Sequence, residues 1–265
     1  MRKEETITPF LIGIAYAFIR CLGRSSTQTS VVLSVSFGNL LYDTSRIQEA
    51  FFALFPVIVA HLIFGRRIYK FFRNCPDYYF IRKGRSASWF IKECFNIFVK
   101  VFLYEFILLV TYSATAPLIC NFTSASNMEV MLSVYYVLTY SIFVTWTSIL
   151  INVISMKFGS IGGFAMIESL ILCMLGLYLT LGNLSGGSKE YLYDHRFYMY
   201  LNPFWHIVIG EQKSVLFDIG GIDLLEYGFP LELSIGINFM ILLIIIGIGA
   251  LYTKKCDIIS DLSEV

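Results

Sequence analysis

Lys100, Glu105 and Glu168 stand inside long apolar stretches of this 265-residue chain. An ion at mid-helix in lipid costs about 2.5–3.5 kcal/mol or more, so each such residue is a functional candidate by default. Lys100 lies near the end of its stretch and can snorkel its ammonium to the interface. Glu105 sits around the middle of the same stretch, five residues on, so the two are not helical neighbours. Glu168 lies about eight residues inside another stretch. Either carboxylate could line the path of a cationic substrate or pair with a neighbour.

Other chemistries find no support in the residues. The chain has no G-x-x-x-x-G-K-[ST] phosphate loop, no H-E-x-x-H and no G-x-S-x-G. Its three histidines, His61, His195 and His206, fall on different sides of the membrane in the topology below, so they cannot build one site. The six cysteines share no C-x-x-C spacing, which predicts neither a disulfide framework nor a zinc site. No catalytic residue, no metal ligand and no bound cofactor is expected, and a formal net charge of +1 argues against nucleic acid as a partner.

The elements that must position these residues are membrane helices. Charged residues make up 15% of the chain, against about 25% in soluble domains, and 57% of it is hydrophobic. A span needs about 20 mostly apolar residues. Six stretches qualify, at about 7–23, 49–65, 94–119, 129–156, 160–181 and 233–253. The expected fold is all-α, one polytopic membrane domain over residues 1–265, with the fourth and fifth spans joined as a tight hairpin through Met156-Lys157-Phe158-Gly159. No small-residue cleavage site follows the first apolar run, so it is expected to remain as a span or anchor.

Orientation follows from the basic residues. The 66–92 loop holds Arg66, Arg67, Lys70, Arg73, Arg82, Lys83, Arg85 and Lys92, and should be cytoplasmic. The 182–232 segment carries seven acids, including Glu211 and Glu232, against three bases, and should be external. Both termini are then cytoplasmic. Aromatic rings interleave with the cations of the loop, which suits a membrane surface with anionic lipid. Ser86 or Ser88 can cap the following helix. Trp89 is expected as an interfacial anchor. The small residues of Gly159-x-x-x-Gly163 suggest close packing inside the chain. Phe197 to Gly210, FYMYLNPFWHIVIG, is too short to span. Irregular backbone at membrane depth persists only where protein or water covers it, so this stretch should pack against its neighbours.

A basic loop of the form Tyr-x-x-x-Arg-x-x-Ser/Arg-x-x-x-Trp-Phe lies between the second and third of six spans, with a long external segment before the last. This order resembles the membrane-spanning subunit of type 2 ATP-binding cassette (ABC) exporters, of the small bacterial kind associated with bacteriocin or lantibiotic export and immunity. The resemblance covers nearly the whole chain in topology, but its motif is confined to Tyr78 through Arg85 and Trp89-Phe90. It implies a permease in the bacterial cytoplasmic membrane that exports an antimicrobial peptide, another peptide or a lipid. Tyr79, Arg82, Lys83, Gly84 and Arg85 would form the coupling element. ATP and magnesium would sit on a dimer of separate ATPase subunits, and a second permease copy or a related permease would complete the path. Glu105 and Glu168 would face that path. Asn202, Pro203, Phe204 and Trp205 would belong to a re-entrant external gate. The rival readings are a secondary transporter driven by an ion gradient and a non-transporting membrane sensor or scaffold.

Overall fold

Long apolar runs free of period-2 alternation favour helix, which satisfies its own backbone. The computed structural model describes residues 3–21, 30–35, 47–74, 87–122, 126–184, 194–216 and 229–255, and among them there is no β-strand. In chain order the helices are α1 (Lys3–Cys21), α2 (Val31–Val35), α3 (Ile47–Phe64), α4 (Arg67–Asn74), α5 (Ala87–Thr115), α6 (Ser126–Leu184), α7 (Arg196–Leu201) and α8 (Leu231–Lys255). Short 3-10 turns occupy Ala116–Leu118, Trp205–Ile207 and Ile209–Glu211. Among the described residues, three helical stretches are long and apolar enough to cross a membrane: Ala87–Leu118, Asn127–Leu181 and Leu231–Thr253. Glu5–Ile19 is apolar but shorter.

A straight helix as long as the 59-residue α6 would run about 88 Å at 1.5 Å per residue, almost three times a bilayer's hydrocarbon core. It is broken at Gly159, whose φ of 76° and ψ of 166° lie in a region essentially reserved for glycine. The chain reverses there. A Cβ built on Gly163 would lie 2.7 Å from the Ser155 amide nitrogen and 2.9 Å from the Ile151 carbonyl oxygen. So the second limb (160–184) folds back along the first (126–158), and Gly163 packs within the chain.

Contacts set the directions of the other helices. α1 runs parallel to α5: Glu5 meets Lys100, Gly13 approaches Thr111, Tyr16 packs on Tyr112, and Cys21 adjoins Cys120. α3 runs parallel to the first limb of α6, with His61 at Thr147 and Phe64 at Asn152. α8 does the same, pairing Tyr135 with Glu232, Trp146 with Asn238, and Val153 with Gly249. Gly249 also meets Phe90, at the start of α5. Thus α1, α5 and the second limb of α6 point one way, while α3, the first limb and α8 point the other. One end of the bundle gathers Glu5, Arg67, Glu93 and Lys100; the opposite end gathers Cys21, Cys120, Glu129, Tyr135 and Glu232.

The structure redraws the expected 66–92 loop. Arg67, Lys70 and Arg73 recur every third residue, a helical spacing, and α4 occupies Arg67–Asn74 with Ile68 buried and Lys70 exposed. α5 begins at Ala87, seven residues before the expected span, directly after Ser86. Trp89 therefore belongs to the first turn of α5 rather than to a loop, and its ring packs on Phe71 at 5.6 Å. Tyr79, Arg82, Lys83, Gly84 and Arg85 lie outside the described residues.

Candidate functional site

The end of the bundle that carries α4 is closed by ion pairs. Lys100 Nζ donates to both carboxylate oxygens of Glu5, at 2.7 and 2.6 Å. Arg67 adds contacts of 3.3 Å to Glu5 and 3.7 Å to Glu93. Lys100 is thus a bonded cation linking α5 to α1, with its side chain 18% exposed. The pairing is possible because Glu5, one of four charges before the first apolar run, enters the bundle as part of α1.

Asn152 holds the corner between α3 and α4. Its Nδ2 donates to the Phe64 carbonyl at 3.0 Å, where α3 ends, and its Oδ1 accepts the Tyr69 N–H at 3.0 Å, in the first turn of α4. Both are orphan groups of helix ends. Gly65 fits between them because a Cβ there would lie 2.6 Å from the His61 carbonyl oxygen. Asn152→Leu is expected to cost about 2–4 kcal/mol, since it strands two backbone groups at roughly 1–2 kcal/mol each. Thermal unfolding in detergent measures the loss, and faster amide exchange over 67–74 locates it.

Deeper in the bundle, Glu168 does not stand alone. Its Oε1 lies 2.6 Å from His61 Nδ1, and His61 Nε2 lies 2.6 Å from Thr147 Oγ1. The cluster ties α3 to both limbs of α6, with His61 fully buried and the Glu168 side chain 13% exposed. Of the two roles open to Glu168, pairing with a neighbour is the one observed.

Glu105 differs. It is fully buried, its Oε2 accepts the Tyr136 hydroxyl at 3.3 Å, and its Oε1 has no hydrogen-bond partner among the described residues. The Tyr136 ring stacks on Tyr140 at 4.4 Å. Glu105 and Glu168 therefore do not share a site: the first faces tyrosines between α5 and α6, the second faces His61.

At the opposite end, Phe204 through Gln212 is buried without a break. The four expected gate residues divide. Phe204 and Trp205 are buried completely, whereas Asn202 and Pro203 are half-buried. Asn202 Nδ2 donates to the Met174 carbonyl at 2.8 Å, and its Oδ1 accepts the Phe204 N–H at 3.0 Å. Asn202 thus ends α7, turns the chain into the buried run, and fastens it to the second limb of α6. Trp205 packs against Tyr200 and Phe229 at 5.2 and 4.9 Å.

Several residues that hold this segment were not among the expected site residues. Glu211, counted as one acid of an external segment, is fully buried; it accepts the Tyr178 hydroxyl and, at 3.2 Å, Trp205 Nε1–H. Gln212 donates to the carbonyls of Trp205 and Val208. His206 bridges Ser234 and the Tyr200 carbonyl, at 2.9 Å each. Glu232 accepts bonds from Tyr135, Ser214 and the Val215 and Leu216 amides. The adjacent polar pair Glu211-Gln212, directly after an apolar aromatic run, was the available signal: polar groups flanking a buried run must be satisfied internally.

Among the described residues, no three His, Cys, Asp or Glu side chains group as metal ligands. Comparison with protein-family models, with curated proteins and with solved structures returned no match.

Proposed function

We propose that this chain is the six-span permease subunit of a type 2 ABC exporter in the bacterial cytoplasmic membrane. It moves an amphipathic substrate, an antimicrobial peptide, another peptide or a lipid, using ATP hydrolysed by separate subunits. The observation that carries the reading is the placement of two unlike segments at opposite ends of the bundle: the basic amphipathic α4 at one, the buried aromatic run 204–212 at the other. The alternating directions of α1, α3, α5, the two limbs of α6, and α8 accord with six crossings and with both termini in the cytoplasm. The hydrophobic residues Phe239, Met240, Leu243, Ile244 and Ile248 exposed on α8 suit lipid or a second permease.

In this reading, closure of two ATPase subunits presses on the stretch containing Tyr79, Arg82, Lys83, Gly84 and Arg85. The flanking helices α4 and α5 take up the push together, because Phe71 packs on Trp89 and Asn152 joins the α3–α4 corner to α6. The first limb of α6 and α8 carry it to the other end, where Tyr135 and Glu232 both bond Ser214, just past the buried run. The protein expressed from its native gene cluster is expected to co-purify with a stoichiometric soluble ATPase. Arg82→Glu with Arg85→Glu should reduce that recovery at least tenfold while leaving membrane insertion unchanged. A chain that purifies alone and active would overturn the assignment.

One observation favours a second reading. The buried His61–Glu168 pair and the singly bonded Glu105 are what an ion-driven secondary transporter would need. That reading requires transport with no ATPase present.

A further inference from the structure

The cysteine spacing predicts no disulfide, yet the fold brings two distant cysteines together. Cys120 lies just past the 3-10 turn that ends α5, and its Sγ donates to the Cys21 carbonyl at 3.3 Å, at the last residue of α1. Both residues are buried, at 4% exposure for Cys21 and 8% for Cys120. The other described cysteines are elsewhere: Cys94 lies two turns into α5, near the opposite end of the bundle, and Cys173 is exposed on the second limb of α6.

We propose that Cys21 and Cys120 are a disulfide-forming pair that clips the outer ends of α1 and α5 together when that side of the membrane is oxidising. The sidedness rests on the topology proposed above; the juxtaposition does not. The pair of thiols is the reduced state. Oxidation proceeds by exchange with the disulfide of an extracytoplasmic thiol oxidant. One cysteine thiolate attacks that disulfide to give a mixed disulfide. The second cysteine thiolate displaces the oxidant, which leaves as a dithiol carrying two electrons, while the two thiol protons pass to water and then to the departing thiolates. Because the folded pair is covered, the exchange belongs to the stage at which α1 and α5 first meet.

The clip answers a need visible in the fold. The apolar part of α1, Glu5–Ile19, is short for a crossing, and the helix contains Pro9. At one end Glu5 is fixed by Lys100 and Arg67. A covalent link at Cys21 would fix the other end against the same partner helix.

Counting thiols tests this without any ATPase or transport assay, so its failure would leave the proposed function standing. Cells expressing the full chain are quenched in acid, the protein is denatured in SDS, and its cysteines are tagged with a maleimide polymer. Of the six cysteines, four should take the tag without reductant and all six after reduction. Cys21→Ser and Cys120→Ser should each take five under both conditions. Should either variant fail to insert, peptide mapping of the unreduced wild-type chain reads the same bond directly, as one cross-linked peptide containing both residues. Six tags without reductant, even after treating the cells with copper-phenanthroline, would overturn the proposal. So would a missing pair of thiols that persists in Cys21→Ser.

Discussion

Gly163→Ala is expected to unfold the α6 hairpin, at a cost of about 3 kcal/mol or more, the upper range for forcing atoms into a filled space. The added Cβ would collide with Ser155 Oγ and lie 2.7 Å from the Ser155 amide nitrogen and 2.9 Å from the Ile151 carbonyl oxygen. The hydroxyl can rotate away, but the two backbone atoms belong to a helix and cannot. Gly176 lies on the same limb, and a methyl group added there would meet nothing within 4 Å, so Gly176→Ala should be neutral or stabilising by roughly 0.5–1 kcal/mol. Melting temperature and monodispersity in detergent should separate the two variants. Equal melting temperatures would mean that the limbs are not packed as described.

Glu211→Leu is expected to release the segment 204–212 from the second limb of α6. The substitution strands the Tyr178 hydroxyl and the Trp205 indole N–H, both buried, at about 2–4 kcal/mol in total. Glu211→Gln keeps one acceptor and should cost about half as much. On the exporter reading, the leucine variant also opens the outer end, so purified protein in vesicles should leak substrate without ATP. If the leucine variant is as stable as wild type and its segment exchanges amide protons no faster, Glu211 is not the fastener.

How much of this was legible in the sequence depends on the range of the interaction. Helices announce themselves locally, so α3 and α8 begin and end within two residues of their expected limits, and the break at Gly159 could be read from four residues. The start of α5 could not, because Ser88, Trp89 and Lys92 read as loop when only apolar residues are counted, whereas a helix can carry such residues beyond the bilayer core. Site residues paired across the fold were hidden for another reason. Lys100 finds Glu5, and Glu168 finds His61, across about a hundred residues of chain, and no spacing rule reaches that far. Glu211 was legible only as a charge, because burial is a property of the assembled fold.

The base of the segment between α7 and α8 carries one last implication. Lys213 bonds to Phe229 and Leu231 through the backbone, and Glu232 holds the Val215 and Leu216 amides. The described residues on either side of 217–228 are therefore fastened side by side. For a flexible connection between two fixed points the entropy of closure grows only with the logarithm of its length, about 0.6 kcal/mol for each doubling. Extra residues placed between positions 216 and 229 should be nearly neutral for the buried run 204–212, which makes this a natural site for an epitope reporting which side of the membrane it occupies.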